Sequence, residues 1–207
     1  MLQNSLTSYT KEYMTKNEYE LNYWNNQRDI DMSDRYLKIK SLWGIDTLSG
    51  DILEIGAGPR NGLLPLFEGN KTSLDPLNSD YIKQGLLAPR SDIEYITGSI
   101  ENTTLNKKYD YVLCANSLDH GESDFSSMNI IKDLLKPRGK FYLLVHLRTR
   151  EQLNEGHNRF MDLKEYENNL NGFNEIFRKI YEKDPTGDGD YRTLVSCLER
   201  KDCVDTQ

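Results

Sequence analysis

The stretch DILEIGAGPRNG, residues 51–62, decides the fold of this chain. Its apolar residues Ile52, Leu53 and Ile55 form a run short enough to predict a buried parallel strand. Gly56 and Gly58 follow, one residue apart, and the apolar residues after them predict a helix. A strand, a glycine turn and a helix let a ligand approach bare backbone, because glycine has no Cβ and accepts positive φ. The stretch therefore predicts a ligand site at the end of the first strand.

Two acids accompany this turn. Glu54, just before it, would repel a pyrophosphate but suit a ligand that carries positive charge. About 20 residues further on, the run 71–75 predicts a second short strand that ends in Asp75. In an open α/β sheet that acid lies beside the first turn, where it can accept hydrogen bonds from both hydroxyls of a ribose. Asn61 stands where the dinucleotide fingerprint has its third glycine, which argues against a dinucleotide.

The combination Glu54-x-Gly56-x-Gly58 with Asp75 resembles the class I S-adenosylmethionine (SAM)-dependent methyltransferases. The resemblance implies an α/β, Rossmann-like fold: a seven-stranded, mostly parallel sheet with helices on both faces, an antiparallel last strand and an N-terminal helical cap. It also implies SAM as the cofactor, with Glu54 near the methionine ammonium and Asp75 on the ribose. The cofactor-binding residues that it implies are Trp24, Glu54, Gly56, Ala57, Gly58, Asp75, Pro76, Ser99, Ile100, Glu101 and Asn116.

The N-terminal region predicts two helices, an aromatic one over residues 8–28 and a second after Ser33. Residues 20–24, Glu-Leu-Asn-Tyr-Trp, resemble the E-x-x-x-W segment in the caps of small-molecule methyltransferases, which close over the cofactor. Trp24 would suit that place, because the face of an aromatic ring attracts a cation such as a sulfonium. The alternative is a pair of amphipathic helices that pack on the sheet and take no part in binding.

The third predicted strand, residues 93–100, leads to the adenine end of the implied site. The family that the chain resembles usually has an acid there, which holds the adenine amino group, and this chain has Ser99 instead. Ser99 can still accept a hydrogen bond, Ile100 could pack on the adenine face, and Glu101 could replace the acid. The alternative is a loop serine without a ligand.

The fourth predicted strand begins near residue 108 and ends in a loop that carries Asn116 and His120. A reversal of strand order between the first and fourth strands would place this loop beside the glycine turn, with Asn116 at the methionine end of the cofactor. Residues 116–120, Asn-Ser-Leu-Asp-His, resemble the x-x-L-E-H turn of ubiquinone-type and related small-molecule methyltransferases. The [N/D]-P-P-[Y/F] motif of enzymes that methylate DNA bases and glutamine amides is not at this place.

The sequence predicts one domain, residues 1–207, with a cap over 1–45, a core over 46–200 and a tail over 201–207. Pro65 falls inside the helix predicted after the glycine turn, so this helix would begin at about Asn61 or Gly62, or would kink. The Leu-Leu-Lys-Pro-Arg-Gly junction, residues 134–139, before the fifth strand is a further resemblance to the family. The remaining predicted elements are helices over 81–87, 130–139 and 162–170, a segment over 173–182 that fits helix or strand, and an antiparallel strand over 191–199.

Composition and charge limit the function classes. With 37% hydrophobic and 29% charged residues the chain is typical of a globular protein, and no apolar run approaches the roughly 20 residues of a membrane span. A net charge of -7 argues against a nucleic-acid partner, and the polar N-terminus predicts a cytoplasmic protein without a membrane partner. Three widely spaced cysteines without a C-x-x-C argue against a disulfide framework and a cysteine zinc site.

Methyl transfer from a sulfonium requires alignment of nucleophile, methyl and sulfur, and it needs a base only if the acceptor must lose a proton. His120 and His157, on the loops after the fourth and fifth strands, are candidate catalytic residues because histidine titrates near neutral pH. His146, at a strand end, is more typical of the core. A metal site formed by the three histidines with Asp119 is an alternative, but it is not expected, because the acidic cluster of magnesium-dependent catechol-type methyltransferases is not evident.

The resemblance thus implies a SAM-dependent methyltransferase that acts on a hydroxyl or amine of a small-molecule acceptor, as a monomer or homodimer. Two alternatives stay open. A catalytically silent SAM-fold binding protein would explain Ser99 and Pro65. An NAD-dependent oxidoreductase has the same fold class, but Glu54 and the missing third glycine count against it.

Overall fold

The computed structural model describes residues 15–120, 125, 127–153, 157, 162–187 and 189–202. They contain one seven-stranded sheet. Its strands are β1 (Asp51–Ile55), β2 (Asn70–Asp75), β3 (Ile93–Thr97), β4 (Tyr109–Ala115), β5 (Leu135–His146), β6 (Phe173–Tyr181) and β7 (Thr193–Arg200). They lie side by side in the order β3-β2-β1-β4-β5-β7-β6.

The strand order reverses beside β1, which pairs in parallel with β2 on one side and with β4 on the other. Strands β2 and β3, and β4 and β5, are also parallel. Strand β7 runs antiparallel between β5 and β6. The predicted Rossmann-like sheet with an antiparallel last strand is therefore confirmed. The loops after β1 and β4 leave the same edge of the sheet on diverging sides, which opens a crevice between them.

Apolar residues cover both faces of the sheet, which explains why β1 reads as a continuous hydrophobic run. Ile52 and Leu53 are both fully buried but point to opposite faces. On one face Ile52 joins a cluster with Ile39 and Trp43, and on the other Leu53 joins a cluster with Met128. The helices that supply these faces and the site are α1 (Lys16–Asn26), α2 (Ser33–Leu42), α3 (Asn78–Lys83), α4 (Ser127–Leu134) and α5 (Leu163–Asn168).

Helix α1 begins with a capping box, in which Thr15 and Glu18 satisfy each other's backbone N–H groups. It has no buried residue, but Leu21 and Trp24 pack against a small cluster that includes Tyr81 of α3. The first part of the helix predicted over residues 8–28 lies outside the described residues.

In the part of the chain that the structure describes, no helix is both long and apolar enough to cross a bilayer.

The prediction of a helix after the glycine turn is wrong. Two 3₁₀ turns stand there, Gly58–Arg60 and Leu64–Leu66, with two residues in left-handed conformation between them. Pro65 has no N–H to donate to a helix. The N–H of Leu63 donates to the carboxylate of Glu54, at 3.1 and 2.9 Å from its two oxygens, instead of to a helix carbonyl. A buried side chain therefore replaces the helical hydrogen bonds.

Other boundaries differ by a few residues from the predictions. The helix predicted over 81–87 is α3, three residues earlier at its start, and the helix predicted over 130–139 is α4, which ends at Leu134. The predicted chain reversal at 136–139 forms the irregular start of β5, where Arg138 has a positive φ. The segment 173–182, which fits helix or strand by sequence, is β6.

Candidate active site

A cavity of about 790 Å³ opens at the carboxyl ends of β1, β2 and β4, with α1 and α2 in its wall. All the residues that the sequence predicts for the site line this cavity, and their roles stay predictions. They are Trp24, Glu54, Gly56, Ala57, Gly58, Asp75, Pro76, Ser99, Ile100, Glu101, Asn116, His120 and His157. Arg148 and Tyr191 line it as well.

The two glycines of the turn are used differently, although both have a positive φ, +69° at Gly56 and +66° at Gly58. A Cβ on Gly56 would lie 2.2 Å from the Cβ of Ser117, whose hydroxyl donates to the carbonyl of Ile55 at 2.7 Å. A Cβ on Gly58 would meet nothing nearer than Trp24 at 3.8 Å. A protein side chain thus fills the space at Gly56, and the space at Gly58 stays open toward the cavity.

Glu54 is buried and holds the turn in place. Its carboxylate accepts hydrogen bonds from the N–H groups of Leu63 and Leu64, at 2.9 and 3.2 Å for Oε2. A Cβ on Gly62 would lie 2.4 Å from this carboxylate, so only a glycine fits there. Burial raises the pKa of Glu54 to about 8 and outweighs the two N–H hydrogen bonds, which lower it; the nearby charge of Asp75 adds a smaller increase.

Asp75 is buried at the end of β2 and joins the first two strand ends. One carboxylate oxygen accepts from the N–H of Gly58 at 3.0 Å, and the other accepts from the N–H of Leu77 at 2.8 Å. Burial raises the pKa of this carboxyl as well. Each oxygen has accepted a single hydrogen bond from these two groups and has a further lone pair for a ligand hydroxyl.

On the wall at this end, the hydroxyl of Ser99 and the side-chain oxygen of Asn116 are buried without a hydrogen-bond partner among the described residues. Asn116 has a φ of +53°, and its backbone N–H donates to Leu144 at 2.7 Å, which fixes the loop after β4. Oε1 of Glu101 accepts a hydrogen bond from the hydroxyl of Ser127 at 3.0 Å. Buried polar atoms without partners are rare in folded proteins, and at a cavity wall they indicate a ligand.

Trp24 lies on the cap side of the cavity, opposite the glycine turn. Its indole Nε1 donates to Glu20 at 2.8 Å, and its ring packs edge-to-face on Tyr23 with centroids 5.3 Å apart. Its Cζ2 would lie 3.8 Å from a Cβ added at Gly58. We call this region of the cavity the turn end; it comprises Glu54, Gly58, Asp75, Ser99 and Asn116.

The opposite end of the cavity, called the histidine end, is formed by Asp119, His120, Arg148 and His157. Asp119 is fully buried, and its Oδ2 lies 3.1 Å from both the Nε of Arg148 and the Nδ1 of His157. The rings of His120 and His157 meet edge-to-face with centroids 4.1 Å apart. Both predicted catalytic histidines are therefore brought together, from loops after β4 and β5.

The surroundings at the histidine end favour an ionised Asp119 and a neutral His120. Burial alone would raise the pKa of Asp119, but His120, His157 and Arg148 outweigh it and hold that pKa far below its usual range. Burial lowers the pKa of His120 to about 4, so this ring is neutral at neutral pH. A neutral ring nitrogen has a lone pair that can accept a proton or bind a ligand.

Sequence reasoning missed Arg148 and the neighbouring Tyr191, and it named Asp119 only as a ligand of a metal site that it rejected. Arg148 follows β5 directly, and its guanidinium lies 4.2 Å above the ring of Tyr191. Tyr191 is distant in sequence and comes close because β7 is antiparallel to β5, and no motif in the sequence marks it.

His146 is buried at the end of β5, as the sequence indicates, and it supports Arg148 from behind. Its Nδ1 lies 3.3 Å from a guanidinium nitrogen of Arg148, and its Nε2 lies 3.2 Å from Asp184. The ring also stacks on Tyr191, with centroids 4.8 Å apart. A chain of side-chain contacts thus runs from Asp184 through His146 and Arg148 to Asp119.

No family model matches the chain. A curated relative, the ubiquinone biosynthesis O-methyltransferase of Rickettsia akari (strain Hartford), is 25% identical over 144 residues, which is 63% of this chain. The chain spans 57% of the length of that relative.

Solved methyltransferase structures superpose on nearly the whole chain. The Burkholderia thailandensis 1,6-didemethyltoxoflavin-N1-methyltransferase, solved with 1,6-didemethyltoxoflavin and S-adenosylhomocysteine bound, has a TM-score of 0.64 and 16% identity over 90% of this chain and 87% of its own. The N-methyltransferase NodS from Bradyrhizobium japonicum WM9 has a TM-score of 0.62 and 16% identity over 87% of this chain and 98% of its own. At these identities the likeness shows the fold, and the chain has the fold of the class I SAM-dependent methyltransferases.

Proposed function

We propose that this protein is a SAM-dependent methyltransferase that moves a methyl group to a hydroxyl or amine of a small metabolite. The observation that carries the proposal is the open space in front of Gly58, next to the buried carboxylate of Asp75. A ribose there would meet bare backbone on one side and a carboxylate with free lone pairs on the other. The fold and the two named O- and N-methyltransferase likenesses support this function.

The residues of the turn end fit the parts of SAM. Asp75 would accept the ribose hydroxyls, and Glu54 would lie near the methionine ammonium. The unpartnered hydroxyl of Ser99 and oxygen of Asn116 would gain partners at the adenine and methionine ends. Other wall residues that would contact SAM are Trp24, Gly56, Ala57, Pro76, Ile100 and Glu101.

When bound, SAM supplies a methyl group on a positively charged, already activated sulfur. The chain therefore has to align the acceptor, exclude water and remove a proton where the acceptor carries one. The cap side with Trp24 would exclude water, and its ring would favour the positive charge. At the histidine end, His120 and His157 would receive the acceptor, and a hydroxyl acceptor would lose its proton there. From the family resemblance and the polar N-terminus we also propose that the protein acts in the cytoplasm as a monomer or homodimer.

Calorimetry with S-adenosylhomocysteine tests the cofactor proposal. We expect the unaltered chain to bind it and Asp75→Ala to weaken it by roughly 30-fold, because about 2 kcal/mol of charge-assisted hydrogen bonding is lost. Asp80→Ala, an exposed acid on α3, is the matched control and should bind as the unaltered chain does. Binding of NAD instead would favour the oxidoreductase, and binding of neither would overturn the proposal.

Turnover separates an enzyme from a silent binding protein. A methyl-labelled SAM incubated with pools of small metabolites should pass its label to an acceptor only when the chain is present. If S-adenosylhomocysteine binds tightly and no pool is labelled, the alternative of a silent SAM-fold protein is favoured.

A further inference from the structure

We propose that Asp119, His120 and His157 bind a divalent transition-metal ion at the histidine end of the cavity. Each side chain offers one ligand atom, and these atoms all lie within 4.8 Å of one another. The chain has three histidines, and two of them meet here from different loops. From the sequence a metal site at these residues is rejected because an acidic cluster is not evident, and the 37 positions between His120 and His157 do not indicate that the two rings meet.

The donor set suits a particular class of ion. Two imidazole nitrogens and one carboxylate oxygen are ligands of Zn²⁺ and of other first-row divalent ions, whereas Mg²⁺ and Ca²⁺ prefer oxygen alone. Three protein ligands leave a fourth position open, as in catalytic zinc sites. His120 and His157 both line the cavity, so the open position would face the acceptor.

Only small movements would complete the site. Bonds of about 2.0–2.1 Å in a tetrahedral site place neighbouring ligand atoms about 3.3 Å apart. Asp119 Oδ1, the oxygen that would bind the ion, lies 3.9 Å from His120 Nε2, and the other oxygen of the same carboxylate, Oδ2, lies 3.1 Å from His157 Nδ1. Rotations of the two rings about their side-chain bonds would cover the difference.

The buried carboxylate provides an independent reason. Oδ2 of Asp119 is held by Arg148, but Oδ1 is buried and has no hydrogen-bond partner among the described residues. A fully buried carboxylate oxygen normally has a donor. A metal ion at the histidine end would satisfy it.

A second carboxylate stands behind His120. Oε2 of Glu20 lies 3.7 Å from Nδ1, the ring nitrogen that does not face Asp119. Metal-bound histidines usually direct their other ring nitrogen to a carboxylate, which orients the ring and increases its basicity. Helix α1 would thus take part in the site through Glu20.

The local charge favours an acceptor that binds as an anion. Asp119 and Glu20 supply two negative charges, and Arg148 and the ion supply three positive ones, which leaves one positive charge to be balanced. A hydroxyl acceptor would meet this need: its oxygen would bond to the ion, the O–H bond would break, and the proton would pass to solvent water. This role rests on the proposed function, and it favours an oxygen over a nitrogen acceptor.

Metal titrations test the site without reference to turnover. Untagged protein, stripped with a chelator, is titrated with Zn²⁺ by calorimetry and with Co²⁺ by visible absorption. We expect one ion per chain and the absorption bands of cobalt bound by nitrogen and oxygen. His120→Gln and His157→Gln should each weaken binding at least 100-fold, and Glu20→Gln roughly tenfold.

Glu151→Gln, at an exposed carboxylate outside the ligand set and its contacts, is the matched control. It should bind the ion as the unaltered chain does, and thermal melts show whether each variant folds. No binding of Zn²⁺ or Co²⁺, or binding that both ligand variants retain, would overturn the proposal.

The two proposals fail in different ways. S-adenosylhomocysteine should bind the turn end whether or not the ion is present, because no residue of the turn end is a ligand. A chain that binds the ion but not S-adenosylhomocysteine keeps the metal site and loses the proposed function. A chain that binds S-adenosylhomocysteine but no ion keeps the proposed function and loses the metal site.

Discussion

At the turn end of the cavity, Glu54 and Asp75 are bound by backbone N–H groups, whereas at the histidine end Asp119 is bound by the side chains of Arg148 and His157. The pKa values of the first two acids are raised and that of Asp119 is lowered. Backbone donors are dipoles that hold an acid in place while burial still disfavours its charge, but a buried guanidinium stabilises that charge directly. The two ends should therefore respond differently to mutation and to pH.

The largest expected effect is at the histidine end. Asp119→Ala leaves the guanidinium of Arg148 buried without its carboxylate, which should cost about 3–5 kcal/mol of the free energy of unfolding. Urea unfolding followed by circular dichroism measures it. The double variant with Arg148→Met should recover part of the loss, since no charge is then left unpaired. A loss below about 1 kcal/mol for Asp119→Ala would show that this pair is not desolvated.

The two glycines of the turn end give the next contrast. Gly56→Ala should destabilise the protein by about 2–4 kcal/mol, because it adds a clash with Ser117 to a left-handed residue. Gly58→Ala should cost only the left-handed strain of about 1–2 kcal/mol, since its Cβ would meet open space. Thermal unfolding compares them. Equal losses, or a Gly56→Ala that Ser117→Gly does not rescue, would contradict the assigned contact.

Protonation of Glu54 should show in the pH dependence of stability. Its folded pKa of about 8 lies above its unfolded value, so the folded chain binds more protons between about pH 4.5 and 8. Its contribution is therefore full below pH 4.5 and is lost as pH rises toward 8, by at most about 1.4 kcal/mol per unit. Glu54→Gln should flatten this decline in urea unfolding at several pH values. Parallel pH profiles for the two proteins would show that Glu54 is ionised throughout.

The smallest expected effect comes from comparing two hydroxyls: that of Ser99, which has no hydrogen-bond partner among the described residues, and that of Ser117, which has one. Ser99→Ala should leave unfolding unchanged and weaken S-adenosylhomocysteine by two- to tenfold, the value of one neutral hydrogen bond of about 0.5–1.5 kcal/mol. Ser117→Ala removes a hydrogen bond to Ile55 and should instead lower stability by about 1 kcal/mol. An unchanged affinity in Ser99→Ala would leave its hydroxyl without a role in binding.

The same contrast explains what could be predicted from sequence. The turn end is built from short motifs on β1 and β2, so its fold, its glycines and the position of Asp75 could be predicted from the sequence. The absence of a helix after the turn could not be predicted, because it depends on hydrogen bonds from Leu63 and Leu64 to Glu54 that no sequence motif describes. The histidine end depends on side chains from β4, β5 and the start of β7. His120 and His157 could be named, but their meeting around Asp119 depends on the tertiary fold.

Trp24 and Trp43 are the chain's two tryptophans, and they occupy opposite settings. The indole of Trp43 is sealed in the core and donates to the carbonyl of Leu143 at 3.1 Å, whereas Trp24 faces the open space at Gly58. A molecule that enters beside the glycine turn will change the fluorescence emission of one ring and leave the other constant. The fluorescence of Trp24 can therefore report whether the cavity is occupied, and that of Trp43 provides an internal reference.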